Sequence, residues 1–482
     1  YAAEPSRRQL AAVRETTREL GARFDLRVMA SFGGTIAVDS EQLVTTLVSG
    51  PIGGCLGARH LSEQLGISNI VCTDVGGTSF DWALIVDGEQ QITLDPDIAH
   101  FKLNLPMVRI DTAGAGSGMY VRVNPLSKRV EFGPDSAGSR IGVSNPQGGV
   151  STVTVTDCGL VVGWLNPDYF LGGELQLSLD AAREGVRRQL AEPLGLSVEV
   201  AAAGVLELFE SDLKHHLETA VMGQGFEPAD FTLLSYGGGG PLHVGGFSEG
   251  LGFQDVLVPS WAAAFSAFGC VCADYSYRFD RQIDMELPLD APAEERGAFV
   301  DKLKQIWKQL ELRIVSEFAQ SGVASSAISL TPRVRMQYTG QLNDIEVEVA
   351  LDRLAGPDSL VVLVDEFERL YGRIYASAAR SPELGYFLTL AVMTGTLPVE
   401  KPVLPEEPVQ PNATPEAARK GTRRVFTRGE WTETPTYEMD ELAAGSQVRG
   451  PGIIEAPSTT FAVPAASVAE LDTHRIFHLR RA

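Results

Sequence analysis

The chain is poor in cysteine and histidine, with five and seven residues among 482, and its cysteines are scattered. The two nearest cysteines, in FSAFGCVCADY, have C-x-C spacing and lack the paired spacing of a zinc site. We therefore expect buried, reduced thiols, as in a cytoplasmic protein. No apolar run reaches the roughly 18 residues that span a bilayer, and no signal peptide opens the chain, so no membrane association is expected.

Positive charge is also scarce: 40 lysines and arginines stand against 62 aspartates and glutamates, a formal net charge of −22. Such an acidic chain is a poor partner for nucleic acid, whose phosphates need a basic surface. A nucleotide is not excluded, because a few oriented backbone amides bind phosphate even in a negative protein. The chain lacks a P-loop, H-E-x-x-H, C-x-x-C and G-x-S-x-G, so the chemistries that depend on these motifs are excluded.

The 482 residues are too many for one hydrophobic core, and we predict three domains. Strand-like runs, glycine turns and helical patterns alternate over residues 1–285, which indicates an α/β sheet covered by helices. Within it, short β segments are predicted between residues 120 and 165, among them VSTVTVTD. Residues 286–400 begin with a long helical pattern and form an α+β region. A proline-rich acidic linker, PVEKPVLPEEPVQPNATPEA, leads into a β-rich domain over 401–482.

The stretch NIVCTDVGGTSFDWALIVDGE predicts a β-hairpin whose turn region carries two acids, two glycines and two hydroxyls: Asp74, Gly76, Gly77, Thr78, Ser79 and Asp81. A turn with little side-chain bulk lets backbone N–H groups surround a phosphate. Asp74 is then a candidate ligand for hydrated magnesium, which prefers oxygen ligands. The alternative is an ordinary glycine hairpin with polar surface residues. The residues alone leave both interpretations open.

A second candidate loop is SYGGGGPLH, where Gly237, Gly238, Gly239 and Gly240 lie between a predicted strand and a predicted helix. Four consecutive glycines are costly unless something must approach the backbone closely. A helix that begins near Pro241 would direct its positive end at the sugar or phosphate of a nucleotide. The alternative is a tight strand-to-helix turn. His243 is a candidate catalytic residue at this loop, although a lone histidine is more often structural.

Two further glycine segments are less specific. VSGPIGGCLGA does not match G-x-G-x-x-G, and close packing of a helix on the sheet accounts for its later glycines. IDTAGAGSGMY is either a cradle for a second anion or a flexible loop, and the sequence does not decide between them. Asp135 and Asp157, in GPDSAG and TVTDCG, are typical of residues that cap helices or form turns.

Taken together and in this order, SGPIGG, DVGGTSFD, GPDSAG and SYGGGGPLH resemble the ATP-binding subunits of the hydantoinase A and 5-oxoprolinase superfamily. LNPDYFLGG, WAAAFSAFGC and MQYTGQLND look most like its ketone carboxylases, the acetone and acetophenone carboxylases. The resemblance implies an actin, hexokinase and Hsp70 type of ATPase fold, in which two α/β lobes hold a nucleotide. It also implies an ATP phosphate loop at residues 74–79, with Mg²⁺ or Mn²⁺ on Asp74, Asp81 as a further catalytic candidate, and Gly237–Gly240 against the adenosine.

One feature departs from the superfamily pattern. Its members usually open with an earlier Asp-x-Gly-Gly-Thr hairpin, whereas this chain has one full copy, and SFGGTIAV has Ser31 where the acid would stand. The first lobe is therefore incomplete in this sequence. It precedes Tyr1 in a longer polypeptide, comes from another chain, or is degenerate; a start at Tyr1 instead of Met agrees with a processed or incomplete N-terminus.

By resemblance, the chain is the ATP-binding subunit of an ATP-dependent ketone carboxylase. ATP phosphorylates the ketone enolate and activates bicarbonate as carboxyphosphate, and the two combine into a β-keto acid. The implied partners are a hydantoinase B-like large subunit, with a further metal of its own, and a small subunit. Two alternatives stay open: an ATP-dependent cyclic amide hydrolase of the N-methylhydantoinase or 5-oxoprolinase type, and a degenerate ATPase-fold subunit that only scaffolds its partners.

Overall fold

The computed structural model describes residues 3–93, 96–98, 101–102, 105–341, 344–374, 380–410 and 413–482. Contacts divide the chain into unit 1, Tyr1–Leu47 with Ala273–Glu400, and unit 2, Val48–Cys272 with Lys401–Ala482. The boundaries of the two units differ from those of the three predicted domains, because each unit combines segments that are distant in sequence. The three-domain division stays a prediction.

Ten α-helices lie in the described residues, and none is long and apolar enough to cross a membrane. The long helical pattern predicted at the start of residues 286–400 is confirmed by the helix Ala293–Gln320. The helices are α1 (Ala3–Glu19), α2 (Ser49–Leu65), α3 (Val155–Val161), α4 (Leu179–Val186), α5 (Glu192–Leu194), α6 (Val198–Met222), α7 (Gly240–Ser248), α8 (Phe265–Val271), α9 (Ala293–Gln320) and α10 (Val361–Ile374).

The strands of the described residues form several separate sheets, so the chain is a mixed α/β protein. The strands are β1 (Arg27–Met29), β2 (Thr35–Ala37), β3 (Ile70–Val75), β4 (Phe80–Val86), β5 (Glu89–Gln90), β6 (Ile92–Thr93), β7 (Asp97–Ile98), β8 (Phe101–Lys102), β9 (Met107–Val108), β10 (Asp111–Ala113), β11 (Met119–Val123), β12 (Val130–Ser136), β13 (Thr232–Tyr236), β14 (Asp255–Pro259), β15 (Tyr275–Glu286), β16 (Ser329–Tyr338), β17 (Ile345–Glu348), β18 (Tyr386–Leu397), β19 (Arg419–Thr427), β20 (Glu430–Glu438), β21 (Gln447–Arg449), β22 (Gly452–Ala456), β23 (Thr459–Val463), β24 (Ser467–Leu471) and β25 (Ile476–Arg481).

Unit 1 is built on a six-stranded sheet of order β1–β2–β15–β18–β16–β17. The predicted pairing of PRVRMQYTG with DIEVEVA is confirmed, since β16 and β17 are antiparallel neighbours. Alternate residues of β16 are buried, as expected for a strand with one face on a core. Helix α9 covers that face, and its Trp307 donates from Nε1 to the carbonyl of Arg333 at 3.1 Å.

Unit 2 contains the sheet that positions the glycine loops. Its order is β10–β4–β3–β13–β14–β25–β24–β21, with β5 beside β4. The predicted hairpin is confirmed as β3–β4, and the predicted strand, turn and helix are confirmed as β13 and α7. Strands β3, β13 and β14 are parallel to one another and almost fully buried. The C-terminal strands β24 and β25 extend this sheet, which explains why the last segment belongs to unit 2.

One predicted strand is wrong, because helix α3 begins within VSTVTVTD. Thr154 accepts the backbone N–H of Asp157 at 3.3 Å, and the Asp157 carboxylate accepts the backbone N–H of Thr154 at 2.9 Å. This reciprocal cap starts a helix despite the β-branched residues around it. Asp157 is therefore a buried capping residue, which confirms the structural interpretation of it.

Helices α2 and α8 cross with their backbones almost in contact, because glycines meet at the crossing. A Cβ on Gly53 would lie 2.5 Å from the carbonyl oxygen of Ser266, and one on Gly57 would lie 3.1 Å from Cα of Gly269. A Cβ on Gly54 would overlap the ring of Tyr236 in β13. The glycines of VSGPIGGCLGA thus serve close packing, against a helix as well as the sheet.

We expect Gly53→Ala to destabilise the protein by about 1–3 kcal/mol, because the added methyl group must displace backbone atoms of α8. Gly50→Ala is the matched control in the same helix. Nothing lies within 4 Å of a Cβ at Gly50, and alanine is the better helix former, so stability should hold or rise by up to about 1 kcal/mol. Denaturant unfolding followed by circular dichroism measures both. Equal unfolding midpoints for the two variants would contradict the packing argument.

Candidate functional site

The two predicted loops follow neighbouring parallel strands. Strands β3 and β13 pair in a register that sets Asp74 beside Tyr236, close to the point where the chain leaves each strand. Because the carboxyl ends of parallel strands meet at one edge of a sheet, the two glycine turns emerge side by side. The N–H of Gly239 donates to the carbonyl of Val75 at 2.9 Å, which joins the loops directly.

Gly237 is required by this close approach. Its φ is +84°, a conformation that side-chain-bearing residues rarely adopt, and a Cβ there would overlap Oδ1 of Asp74. Its N–H donates to the carbonyl of Ala262 at 2.9 Å, so the turn is anchored on both sides. The first glycine of the run is therefore structural, whereas Gly238 is exposed.

The turn of the hairpin presents backbone donors that have no acceptor among the described residues. The N–H of Gly76 donates to the carbonyl of Ser79 at 3.0 Å and closes the turn. The next three N–H groups, of Gly77, Thr78 and Ser79, donate to no acceptor in the described part of the chain. Gly77 and Thr78 are exposed. Successive free N–H groups in a turn form an anion-binding concavity.

The segment IDTAGAGSGMY supports that turn through hydrogen bonds to its carbonyl groups. The N–H of Ser117 donates to the carbonyl of Gly76 at 2.9 Å, and the N–H of Gly118 donates to the carbonyl of Gly77 at 2.8 Å. A Cβ on Gly116 would overlap the backbone nitrogen of Thr78, so only glycine fits there. The sequence left this segment open between an anion cradle and a flexible loop, and its structural contribution is to support the turn.

Asp74 and Asp81 lie directly opposite each other in the hairpin, so their side chains share one face of the sheet. Their neighbours Val75 and Phe80 point to the other face and belong to the hydrophobic core there. Ser266 of α8 donates from Oγ to Oδ2 of Asp74 at 3.1 Å. Ser79 donates from Oγ to Oδ2 of Asp81 at 2.8 Å. We call this side, with Asp74, Asp81 and Ser266, the carboxylate face.

The environment of the two acids favours their protonated forms. Burial raises the pKa of Asp74 to about 6; the hydrogen bond from Ser266 opposes this shift, and the charge of Asp81 adds to it. Burial also raises the pKa of Asp81, against hydrogen bonds from Thr112 and Ser79. Two partly buried carboxyl groups on one face favour a bound cation, because a cation offsets their mutual repulsion.

A cavity of about 290 Å³ borders the loops. Gly76, Gly77, Gly238 and Gly239 line it, so both glycine turns border the same space. The other six predicted site residues do not line it: Asp74, Thr78, Ser79, Asp81, Gly237 and Gly240. Most of the cavity wall is apolar, and no lysine or arginine among the described residues is part of it.

Sequence reasoning missed two residues that this geometry brings to the site. Ser266 lies in WAAAFSAFGC, and only its position on α8 places it against Asp74. Ser117 lies in the third glycine segment, and its Oγ is buried without a hydrogen-bond partner in the described residues beside Gly239. The sequence offered one signal for Ser117, which is a small hydroxyl residue among the glycines of IDTAGAGSGMY.

Comparisons with known proteins identify relatives along the whole chain. The hydantoinase/oxoprolinase model matches residues 1–279, and the hydantoinase/oxoprolinase C-terminal domain model matches residues 290–482. The chain is 47% identical over 480 residues to the acetone carboxylase beta subunit of Xanthobacter autotrophicus, covering 100% of this chain and 67% of that protein. It is 30% identical to the acetophenone carboxylase gamma subunit of Aromatoleum aromaticum, covering 92% and 60%.

A third relative is the caprolactamase subunit alpha of Pseudomonas jessenii, 31% identical, with 96% of this chain and 65% of that protein covered. The chain thus spans about 60–67% of the length of these curated relatives. Among solved structures, nucleotide-free acetone carboxylase matches with a TM-score of 0.90 and 47% identity, covering 100% of this chain and 68% of that chain. The ATP-dependent caprolactamase of Pseudomonas jessenii matches with a TM-score of 0.79 and 27% identity, covering 100% and 69%.

We expect Asp74→Asn to stabilise the ligand-free protein above pH 6 and to have no such effect below about pH 4. The ordinary aspartate pKa is 3.8, and burial raises it to about 6 in the folded protein, so the ionised carboxylate costs stability once the pH exceeds both values. The cost reaches about 3 kcal/mol at pH 8, since one pKa unit corresponds to about 1.4 kcal/mol. Melting temperatures at pH 4 and pH 8, without metal or nucleotide, measure the difference.

Asp135→Asn, which removes a charge from an exposed position in β12, controls for the general effect of lower net charge. A stabilisation of Asp74→Asn that is the same at pH 4 and pH 8, or that matches the control, would contradict the burial of this acid.

Proposed function

The chain belongs to the hydantoinase/oxoprolinase family, and from that premise we propose that it is the ATP-binding subunit of an ATP-dependent ketone carboxylase of the acetone or acetophenone type. The identity of 47% to the acetone carboxylase beta subunit, along the full length of this chain, supports the ketone assignment over the lactam assignment. The observation that carries nucleotide binding is the array of three N–H groups at Gly77, Thr78 and Ser79, which have no acceptor among the described residues.

We further propose that unit 2 contains one lobe of an actin, hexokinase and Hsp70 type of ATPase fold. In that fold type a hairpin supplies a phosphate loop, and a strand, turn and helix supply the adenosine loop. The adjacent positions of β3–β4 and β13–α7 in one sheet support this assignment.

The polar groups at the sheet edge fit a magnesium nucleotide. The free N–H groups would donate to phosphate oxygens, as in other glycine turns that bind phosphate. Magnesium takes one or two carboxylates and completes its shell with phosphate oxygens and water, so Asp74 and Asp81 suffice. No group of three or more His, Cys, Asp or Glu side chains that could hold a metal ion lies in the described residues. Mn²⁺ has the same ligand preference.

Phosphoryl groups from ATP would convert the ketone enolate to an enol phosphate and bicarbonate to carboxyphosphate. Carboxyphosphate then releases phosphate and CO2, and the enol carbon bonds to CO2 while water takes the enol phosphoryl group, which leaves a β-keto acid and a second phosphate. For this chemistry the chain contributes positioning and charge neutralisation, which dominate phosphoryl transfer in proteins. The turn amides hold the phosphate chain, and Asp74, fixed by Ser266, orients the metal or a water molecule. Asp81 is fixed by Ser79 and shares that face.

We propose a hydantoinase B-like large subunit and a small subunit as partners, and a second metal in the large subunit. The names of the relatives, which are beta, gamma and alpha subunits, support an assembly of several chains. The cytoplasm is the proposed location. All five cysteines are free and four of them are buried, which suits a reducing compartment.

ATP-dependent opening of a cyclic amide is the second candidate function. The caprolactamase subunit alpha matches 96% of this chain, and a chain of the ATP-dependent caprolactamase structure matches with a TM-score of 0.79. In that case the same loops would activate an amide oxygen before water opens the ring. Either reaction could use the two glycine turns and the carboxylate face. The two reactions differ in their organic substrate, a ketone or a cyclic amide.

The assembled protein, with its co-purifying subunits, should fix ¹⁴C-bicarbonate into acid-stable product when supplied with MgATP and acetone or acetophenone. Omission of ATP or ketone should abolish fixation. A parallel reaction with caprolactam, hydantoin or 5-oxoproline, without bicarbonate, measures ring opening. Ring opening with no ketone-dependent fixation would replace the proposed function with the second candidate.

We expect Gly77→Ala to weaken binding of MgATP at least tenfold without loss of thermal stability. The nearest atom to a Cβ at Gly77 is 3.8 Å away, so the methyl group fits the folded protein but occupies space at the phosphate loop. Calorimetric titration with a non-hydrolysable ATP analogue measures the affinity. Gly114→Ala is the control, because nothing lies within 4 Å of its Cβ and it does not line the cavity. Unchanged affinity and turnover in Gly77→Ala would favour a scaffolding subunit.

A further inference from the structure

His243 lies in the first turn of α7, directly after the glycine run, and lines the cavity together with Gly239 and Leu242. It is 1% exposed. The edges of two aromatic rings fix its position: Phe209 at a centroid distance of 4.9 Å and Trp164 at 6.0 Å. A polar ring that is held this tightly at the border of a cavity has little freedom to turn toward another partner.

One ring nitrogen of His243 is engaged and the other is not. Nδ1 lies 3.1 Å from Oε1 of Glu210, which comes from α6. Gly246, one turn along α7, leaves the space for this carboxylate, because a Cβ there would overlap Oε2. Nε2 is buried and has no hydrogen-bond partner among the described residues. An unpaired buried polar atom costs free energy, so a ligand that satisfies it gains affinity.

Glu210 also determines which kind of group Nε2 recognises. Burial raises the pKa of Glu210, and the hydrogen bond with His243 opposes that shift. The ionised carboxylate accepts the hydrogen bond and so selects the tautomer with the proton on Nδ1. Nε2 of that tautomer is an acceptor and matches a hydroxyl or amino group. Most of the cavity wall is apolar, which suits an uncharged sugar or base.

We propose that His243 is a specificity-determining residue that contacts the nucleoside part of the bound nucleotide, with Nε2 accepting a hydrogen bond from a hydroxyl or amino group. Glu210 is the positioning residue that fixes its tautomer. This inference rests on the proposed nucleotide site and deepens it. The phosphate chain stays at the turn amides of Gly77 to Ser79, and the nucleoside extends past Gly238 and Gly239 into the cavity.

Two substitutions separate recognition from structure. His243→Asn retains a polar group near the position of Nδ1, and so the contact with Glu210, but removes the group at Nε2. His243→Gln retains a polar group near Nε2. If Nε2 recognises the nucleotide, His243→Asn should bind a non-hydrolysable ATP analogue about five- to tenfold more weakly than the unmodified protein. The affinity of His243→Gln should lie between the two. His215→Asn, on the exposed side of α6, is the control and should bind as the unmodified protein does.

The donor group is identified by a coupling test in the assembled protein. 2′-Deoxy-ATP lacks one hydroxyl, and purine riboside triphosphate lacks the amino group. The analogue without the donor should bind about five- to tenfold more weakly to the unmodified protein and lose no further affinity in His243→Asn. ¹⁵N spectra of labelled histidine should show the Nε2 signal of His243 shifting on nucleotide binding.

The possible failures are distinguishable. If the unmodified protein binds no nucleotide, the proposed function fails. If nucleotide binds but the ¹⁵N signals of His243 do not move and neither analogue is coupled to His243→Asn, the inference alone is overturned. If His243→Asn instead raises the KM for the organic substrate and leaves nucleotide affinity unchanged, the cavity binds that substrate and the assignment to the nucleoside is wrong.

Discussion

The parallel pairing of β3 with β13 is the constraint on which the site depends. The register that sets Asp74 beside Tyr236 brings two glycine turns, more than 150 positions apart in sequence, to one edge of the sheet. The bond from Gly239 to Val75 then joins them. A shift of one residue in this register would exchange the faces of the strand residues and turn Asp74 toward the core. Burial of that carboxylate in the hydrophobic core would cost free energy, which opposes such a shift.

The electrostatics of the site are unusual for a chain with a net charge of −22. In the proposed site, attraction for an anion would come from backbone N–H groups, which carry partial positive charge without a basic side chain. Asp74 and Asp81 stand close to the same turn and would repel a polyphosphate when ionised. A divalent cation removes this repulsion, and so the arrangement favours a nucleotide with its metal over the nucleotide alone.

The local elements were predictable because each has a strong signal in few residues. The hairpin followed from alternating apolar residues around Gly76 and Gly77, and α7 followed from the glycine run before Pro241. The strand predicted over VSTVTVTD was wrong because a reciprocal side-chain cap at Thr154 outweighs β propensity. Contacts between distant segments carried no local signal: Ser266 on Asp74, Glu210 on His243, and the association of 401–482 with 48–272 depend on the packing of the whole unit.

The bracing of the hairpin turn by Ser117 and Gly118 has a kinetic and energetic consequence. The carbonyls of Gly76 and Gly77 accept hydrogen bonds from Ser117 and Gly118, so their peptide planes are held and the N–H groups of Gly77 and Thr78 keep a fixed orientation. An arriving anion then meets dipoles that are already aligned, so little reorganisation energy opposes its capture. The hydrogen bonds from Ser117 and Gly118 therefore make the proposed anion site rigid, although an anion at the turn would not contact them.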